Sequence, residues 1–408
     1  MVFTTTPPQS TKLAVLGAAP AFSEKLYVGR PNTGNRARLM ERINDVLDSK
    51  WFSNNGQYVQ EFERRLAAFT GAKHCIAMCN GTIALEIVAR SLGMTGEVIV
   101  PSFTFVATAH ALQWQQITPV FCDVDPETHT LDLARVEQLI TPRTSGILGV
   151  HVWGRPCQID ELTELSKRHN LKLAFDASHG VGCSYKGRML GNFGEAEVFS
   201  FHATKFLNSF EGGAVMTNND ELATKIRSMK KFGFGLGYDN VVSIGTNGKM
   251  TEVSAAMGIT SLESIEEFIA VNYQNYKKYQ DELSELKGIR LVHFDETEKN
   301  NYQYVLLEVD ELEVGISRDE LVEVLHAENI MARRYFYPGC HKMEPYCSYY
   351  PNSHLMLPET EKLTQKVMSL PTGTAVTLQD IGRICEIIQL ATQKQTQVKE
   401  ALKLLQTK

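Results

Sequence analysis

The sequence lacks a strong excess of either charge. Its 41 basic and 47 acidic residues give a net charge of -6, and the basic residues form no block or tail. Proteins that bind nucleic acid or a membrane surface usually carry such a basic patch. The apolar runs fall short of the roughly 20 residues that a transmembrane helix needs, and the N-terminus lacks the basic start and apolar run of a secretory signal. We therefore expect no nucleic-acid partner and no membrane association.

Cysteine is sparse and scattered. Eight cysteines spread over 408 residues form no disulfide framework, which favours a reducing compartment, and we expect a cytoplasmic protein. Cys75 with Cys79, and Cys340 with His341, lack the second pair of ligands that a metal site requires, so no metal is expected. A chain of this length can bury a large core and is expected to form two or three domains.

Short apolar runs alternate with helical patterns through the first 255 residues. This alternation predicts βαβ units and a mostly parallel sheet. The predicted strands are 74–78, 97–100, 119–123, 146–152, 172–176, 196–201 and 214–217. A helical tract at 251–286 leads to a second region, with a strand at 303–309 and helices at 318–326 and 380–394. We divide the chain into a loose N-terminal arm (1–24), a large domain (25–255), a connecting helix (256–285) and a small C-terminal domain (286–408).

Three features at the ends of predicted strands point to one kind of cofactor site. Lys205 follows a strand, where a partly desolvated lysine can attack a carbonyl as a Schiff-base nucleophile. Asp176 ends an apolar strand and can pair with a protonated heterocyclic nitrogen. Gly81 and Thr82 open a helix whose N-terminus favours a phosphate. Each feature alone also has an ordinary interpretation, as a surface lysine, a helix-capping aspartate or a common N-cap. Together and in this order they predict a site for pyridoxal 5′-phosphate (PLP).

An ordered set of motifs resembles one family. The motifs are N-G-T-x-A-L from Asn80, P-S-F-T-F-V-A-T from Pro101, F-D-A-S-H from Phe175, S-F-H-A-T-K from Ser200 and E-G-G-A from Glu211. The set resembles the DegT/DnrJ/StrS family of PLP-dependent sugar aminotransferases, and the likeness covers nearly the whole chain. It implies an α/β protein with the aspartate-aminotransferase-like (PLP type I) fold, in which a large, mostly parallel sheet domain is followed by a smaller C-terminal α/β domain.

The resemblance also implies roles for individual residues. Lys205 corresponds to the catalytic lysine that holds PLP as a Schiff base and transfers protons, and Asp176 to the partner of the pyridine nitrogen. His179 corresponds to a neighbour of the cofactor's oxygen, and Phe105 to an aromatic ring stacked on the pyridine. Related sugar dehydratases carry histidine in place of the lysine, so Lys205 favours amino transfer.

Other matching residues correspond to ligands of the cofactor phosphate. These are Thr82, the backbone of Ile83, and Ser200. Asn247, in G-T-N-G-K-M-T-E, corresponds to a phosphate contact from the other subunit, which implies a homodimer with shared active sites. Lys249 stands where arginine is commoner in the family, and an ammonium group cannot make the planar two-pronged contact of a guanidinium.

The implied reaction has two halves. L-glutamate would convert the PLP form into pyridoxamine phosphate, which would then aminate a nucleotide-linked keto sugar. The segment H-V-W-G-R-P-C, from His151 to Cys157, resembles members that convert dTDP-4-keto-6-deoxyglucose to dTDP-4-amino-4,6-dideoxyglucose. The alternatives are amination at carbon 3, a GDP- or UDP-linked sugar, a cyclitol, and a non-catalytic regulator with the same fold.

The substrate side of the site is predicted from the segment Y-P-G-C-H at residues 337–341. The resemblance places Tyr337, Pro338 and His341 near the sugar, while Arg333 and Arg334 could bind a diphosphate. The alternative for residues 335–337 is a core strand whose aromatic side chains serve only packing.

Overall fold

The computed structural model describes residues 12–237 and 239–406. In chain order the strands are β1 (Leu26–Tyr27), β2 (His74–Met78), β3 (Glu97–Pro101), β4 (Thr118–Cys122), β5 (Thr144–Val150), β6 (Lys172–Asp176), β7 (Ser184–Tyr185), β8 (Arg188–Met189), β9 (Ala196–Ser200), β10 (Gly213–Thr217), β11 (Ile289–Leu291), β12 (Val305–Val309), β13 (Ile330–Met331) and β14 (Val367–Leu370). Seven of them form the main sheet, in the order β2-β10-β9-β6-β5-β3-β4. Within it β10 runs antiparallel to both neighbours, and the remaining pairs are parallel.

Helices cover both faces of the main sheet. In chain order they are α1 (Arg36–Ser49), α2 (Gln57–Thr70), α3 (Gly81–Ser91), α4 (Ala107–Gln113), α5 (Leu133–Gln138), α6 (Ile159–Arg168), α7 (Asp220–Met229), α8 (Glu252–Glu263), α9 (Ile265–Leu283), α10 (Glu311–Val314), α11 (Arg318–Ala327), α12 (Tyr346–Tyr349), α13 (Pro358–Lys366), α14 (Leu378–Gln393) and α15 (Gln395–Gln406). One apolar cluster includes residues of α2, α6 and α8, and a second includes residues of α3, α4 and α7. In the described parts of the chain, no helix is both long and apolar enough to span a membrane.

The predicted α/β class with a mostly parallel sheet is confirmed. Each of the seven predicted strands of the first region is present, and its ends differ from the prediction by at most two residues. The agreement has a simple cause, because these strands are buried almost throughout and therefore read as short apolar runs between turns.

The C-terminal region has its own sheet and core. Strands β11, β12 and β14 form an antiparallel sheet, and an apolar cluster joins it to α9, α11 and α14. The helical tract predicted at 251–286 is two helices, α8 and α9, because Ser264 leaves the helical conformation (φ -105°, ψ 9°). The proposed domain limits stay a prediction.

The described part of the N-terminal segment is packed rather than loose. Leu13 is only 1% exposed within the C-terminal apolar cluster. The backbone N–H groups of Ala14 and Ala21 both donate to the carboxylate of Glu328, each at 2.7 Å. The expectation of a loose arm is therefore corrected for residues 12–24. Residues 1–11 lie outside the described residues.

Candidate active site

A cavity of 390 Å³ opens at the carboxyl ends of the parallel strands. Segments that follow β2, β3, β5, β6 and β9 contribute to its wall, since the carboxyl ends of parallel strands meet at one edge of a sheet. The C-terminal region contributes to the wall as well. The residues of the wall include Asn80, Thr82, Thr104, Phe105, Asp176, His179, Ser200, Lys205, Tyr304, Arg333, Tyr335 and Phe336. The structure thus brings the predicted lysine, aspartate and histidine together.

Lys205 lies in the loop after β9, with its Nζ 3.3 Å from Oη of Tyr304. Burial lowers the pKa of the Lys205 amine to about 8, although the neighbouring Tyr335 and Asp176 oppose this effect. Only the uncharged form of an amine acts as a nucleophile or a base. Lys205 therefore has a larger uncharged, reactive fraction near neutral pH than an ordinary lysine, whose pKa is about 10.4.

His179 is held in a single tautomer. The backbone N–H of Trp153 donates to Nδ1 of His179 at 3.1 Å, which leaves the ring proton on Nε2. Nε2 lies 3.2 Å from Oη of Tyr304, and the imidazole stacks on the Trp153 indole. Burial, assisted by the charge of Lys205, holds the pKa of His179 well below its ordinary value. His179 is consequently a neutral hydrogen-bond donor through Nε2.

Asp176 ends β6 and both of its carboxylate oxygens are held in place. Oδ1 accepts hydrogen bonds from the backbone N–H and the hydroxyl of Ser178, at 3.1 and 2.6 Å. Oδ2 accepts one from the Thr108 hydroxyl at 2.8 Å, and the hydroxyls of Thr108 and Thr104 are 3.0 Å apart. A carboxylate offers about four acceptor positions, so Asp176 can still accept a hydrogen bond from a protonated ring nitrogen.

Helix α3 begins at the wall of the cavity. Its N-terminus favours an anion, and both Thr82 and Ser200 line the cavity there. A Cβ on Gly81 would lie 3.2 Å from Cβ of Ser200, so glycine lets the helix start close to β9. The N–H of Ile83 donates to Oδ1 of Asn80 at 2.8 Å. This donor thus takes part in the helix cap, and the expected phosphate contact from the Ile83 backbone stays a prediction.

His341 does not reach the cavity. It is buried in the core, with Nδ1 2.7 Å from the Ser102 hydroxyl and Nε2 2.8 Å from the Glu361 carboxylate. Because both ring nitrogens are engaged, the expected contact of His341 with a sugar is corrected: it connects the end of β3 to α13.

The segment that contains Tyr337 is a turn and not a core strand, the alternative that its aromatic residues suggested. Tyr335 and Phe336 line the cavity, whereas Tyr337 is not part of the wall. The guanidinium of Arg334 lies 4.8 Å from the Tyr337 ring centroid. Arg333 does line the cavity, and its guanidinium donates to the Tyr335 hydroxyl at 3.2 Å. Of the predicted substrate ligands, Arg333 is thus the one at the cavity.

Asn247 lies outside the cavity of its own chain. It is exposed and forms a backbone bridge with Lys231. The predicted contact of Asn247 with a second subunit stays a prediction. Phe105, by contrast, lines the cavity with 60% of its surface exposed.

Several residues of the site were missed by the sequence prediction. Thr108 follows Thr104 by four residues in P-S-F-T-F-V-A-T, a spacing that places two hydroxyls on one side of a helical turn. Trp153 lies in H-V-W-G-R-P-C, which was noted only for the substrate. Tyr304 precedes β12 in the C-terminal region, and no local pattern marks it.

The arrangement fits PLP. The cofactor requires a reactive lysine, a carboxylate for its ring nitrogen and a binding site for its phosphate. Lys205 supplies an amine with a lowered pKa, and Asp176 supplies a carboxylate whose direction is fixed by Thr108 and Ser178. The start of α3 supplies the anion site.

Comparison with known proteins gives a consistent result. The profile of the DegT/DnrJ/EryC1/StrS aminotransferase family matches residues 34–389. A dTDP-4-amino-4,6-dideoxy-D-glucose transaminase of Shigella dysenteriae is 36% identical, over 86% of this chain and 94% of the relative. A GDP-perosamine synthase of Caulobacter vibrioides is 34% identical, over 88% of this chain and 96% of the relative. The crystal structure of DesI in the presence of its TDP-sugar product superimposes with a TM-score of 0.92 at 48% identity, covering 96% of this chain and 99% of DesI.

Proposed function

The chain belongs to the DegT/DnrJ/EryC1/StrS aminotransferase family, and from this premise we propose that it transfers the amino group of L-glutamate to carbon 4 of dTDP-4-keto-6-deoxyglucose. As a member of the family it is a PLP-dependent sugar aminotransferase. The observation that carries the proposal is the cavity itself, in which an enclosed lysine amine lies beside an oriented carboxylate and a neutral imidazole.

The choice of sugar is supported by the relatives. The Shigella dysenteriae relative is named for dTDP-4-amino-4,6-dideoxy-D-glucose, and DesI was crystallised with a TDP-sugar product. The GDP-perosamine synthases support a GDP-linked sugar as the alternative. The product of the proposed reaction is dTDP-4-amino-4,6-dideoxyglucose.

Individual residues of the cavity have defined roles in the proposed reaction. PLP, when bound, supplies an electron sink for the pair left behind when the amino donor loses its α-proton. Lys205 accepts that proton on Nζ in its uncharged form, and Asp176 accepts a hydrogen bond from the protonated ring nitrogen. Thr82 and Ser200 bind the phosphate together with the N-terminus of α3. Arg333 binds an anionic group of a substrate at the wall of the cavity.

The proposal includes a cytoplasmic homodimer. The cysteines of the described chain are free thiols, which suits a reducing compartment. Asn247 is exposed and is not part of the wall of its own cavity, which is compatible with a phosphate contact in a second subunit. In the dimer each active site takes Asn247 from the partner chain.

Absorption spectroscopy tests the proposal in two steps. Addition of L-glutamate to the purified protein is expected to abolish the visible band of bound PLP. After removal of glutamate, addition of dTDP-4-keto-6-deoxyglucose is expected to restore it. Return of the band with a GDP-linked 4-keto sugar or a 3-keto sugar instead would replace the proposed substrate while keeping the transfer reaction.

Lys205→Ala provides the control, since it keeps the cavity but lacks the amine. This variant is expected to show neither half of the cycle. A protein that takes up PLP but never responds to glutamate or any other amino donor would refute the aminotransferase and favour a non-catalytic regulator.

A further inference from the structure

The hydroxyl of Tyr304 lies within hydrogen-bond distance of two nitrogens of the cavity, one on Lys205 and one on His179. Its Oη lies 3.3 Å from Nζ of Lys205 and 3.2 Å from Nε2 of His179. The residue immediately precedes β12, so the C-terminal region places this hydroxyl against a lysine of the main sheet. Tyr304 is only 7% exposed, and its ring packs against Trp153 and Tyr335 at centroid distances of 5.4 and 5.8 Å. The phenol is therefore held firmly in place.

The direction of the hydrogen bonds follows from the proton count. Because the N–H of Trp153 donates to Nδ1 of His179, the proton on Nε2 is donated to Oη of Tyr304. A hydroxyl that accepts a hydrogen bond becomes a better donor. Burial raises the pKa of Tyr304, so the phenol keeps its proton, and the acceptor within reach of that proton is Nζ of uncharged Lys205.

We infer that Tyr304 is a further catalytic residue of this site: its O–H donates to Nζ of Lys205 when that amine is uncharged. This bond is the last link of a hydrogen-bond chain that runs from the Trp153 N–H through His179 and Tyr304, and it favours the uncharged amine and aims it for proton transfer. Tyr304 retains its own proton throughout, and the proton that moves is the one that Lys205 accepts and returns. This inference rests on the proposed amino transfer and adds a residue to it.

Other charged and titratable groups also face this amine. Asp176, at the end of β6, and Tyr335, in the turn before His341, act directly on Lys205. His151, after β5, and His202 and Glu211, from the loop between β9 and β10, line the same cavity with Arg333. The test must therefore change the hydroxyl and leave all of these groups in place.

Tyr304→Phe removes a single oxygen atom and keeps the ring. Loss of a donor to the uncharged amine favours its protonation, so the apparent pKa of Lys205 is expected to rise by about one pH unit, the equivalent of one hydrogen bond. The readout is the pH dependence of Lys205 acetylation by acetic anhydride in the full-length, cofactor-free protein, followed by mass spectrometry. It requires no turnover.

Tyr302→Phe is the matched control. Tyr302 is also 7% exposed and lies two residues earlier, but its ring packs against Tyr273, Tyr276 and Phe294 in the C-terminal core. This variant is expected to leave the titration of Lys205 unchanged. If thermal unfolding shows that Tyr304→Phe does not fold, His179→Asn takes its place. It removes the hydrogen bond from His179 to Tyr304 and is likewise expected to raise the pKa of Lys205.

The second readout uses the holoenzyme and L-glutamate. At pH 7 Tyr304→Phe is expected to slow the loss of the visible band about tenfold, to recover at higher pH, and to show a larger isotope effect with α-deuterated glutamate. Unchanged acetylation and an unchanged isotope effect in Tyr304→Phe would overturn the role of Tyr304. If wild-type protein does not respond to glutamate, the proposed function fails instead, while the acetylation experiment still decides the contact with Lys205.

Discussion

Asp176 and Asp123 are both buried aspartates at the carboxyl end of a strand in the main sheet, yet they serve different partners. Asp176 lines the cavity, and its carboxylate is oriented by two neighbouring hydroxyl groups. Asp123 follows β4 and accepts hydrogen bonds from the backbone N–H groups of Glu359 and Thr360, at the start of α13. The same residue type is thus used once for chemistry and once to cap a helix.

Replacement of the two aspartates should separate these roles. Asp176→Asn is expected to slow the glutamate half-reaction at least about tenfold, because a neutral amide loses the charge-assisted hydrogen bond to a protonated ring nitrogen. Asp123→Asn is expected to lower the free energy of unfolding while leaving that rate unchanged. Stopped-flow absorption measures the rate and chemical denaturation the stability. Wild-type rates in an Asp176→Asn protein that holds a full complement of PLP would contradict the assignment.

The lowered pKa of Lys205 makes a prediction about pH. With a pKa of about 8, the amine is mostly protonated below pH 8 and mostly uncharged above it. Only the uncharged amine attacks the aldehyde of PLP, so the rate of PLP uptake by cofactor-free protein is expected to rise through pH 8 and then level off. The growth of the visible band after mixing measures this rate. A rate that continues to rise up to pH 10 would instead indicate that Lys205 has the pKa of an ordinary lysine.

The residues of the site differed in how well the sequence predicted them. Asp176 ends a strand, and Lys205 and His179 follow strands; parallel strands bring such positions together at one edge of the sheet. Tyr304 could not be predicted, because it stands about 100 residues from Lys205 and meets it through packing of the C-terminal region on the main sheet. His341 was assigned wrongly for the same reason, since its partners, Ser102 and Glu361, come from distant parts of the chain.

At the scale of single elements, α3 is the helix on which phosphate binding depends. Thr82→Val is expected to raise the dissociation constant of pyridoxamine phosphate about tenfold, because a hydroxyl donor to a charged phosphate is lost. That ligand needs no covalent bond to Lys205, so its affinity reports the phosphate site directly. Thr163→Val is the matched control, since Thr163 lies in α6 and its hydroxyl donates to the carbonyl of Ile159. Equal affinity in both variants, measured by fluorescence titration, would exclude Thr82 as a ligand.

The elements themselves were largely predictable, and the exceptions have local causes. Buried strands appear as apolar runs bounded by turns, which is why β2 and β6 match their predicted ends. The tract at 251–286 keeps a helical pattern across Ser264, so the break between α8 and α9 leaves little trace in the pattern. The aromatic run at 335–337 suggests a strand, but its residues are divided between the cavity and the Arg334 side chain.

At the scale of the whole molecule, the exposed apolar side chains bear on assembly. Several of them lie in the segment that precedes Asn247 or in the loop before α2: Trp51, Phe52, Phe232, Leu236, Val241, Val242 and Ile244. Exposed apolar surface of this kind marks interaction sites on soluble proteins. A symmetric dimer would bury such a surface and could bring each Asn247 to the partner's cavity.

Mixed dimers test whether Asn247 acts across subunits. A Lys205→Ala chain and an Asn247→Ala chain are expressed together with different tags and purified through both. If Asn247 serves the partner's cavity, one site of this heterodimer combines both substitutions and the other is intact. We then expect roughly half of the wild-type rate per dimer. If Asn247 serves its own cavity, neither site is intact.

The reference for this experiment is the heterodimer of a wild-type and a Lys205→Ala chain, because it has one intact site under either arrangement. The two heterodimers are expected to have the same rate of amino transfer, and both should exceed the two homodimers of variant chains. A heterodimer no faster than the Asn247→Ala homodimer would place Asn247 in its own site. Failure of the two tags to copurify would refute the homodimer, since monomers cannot carry both.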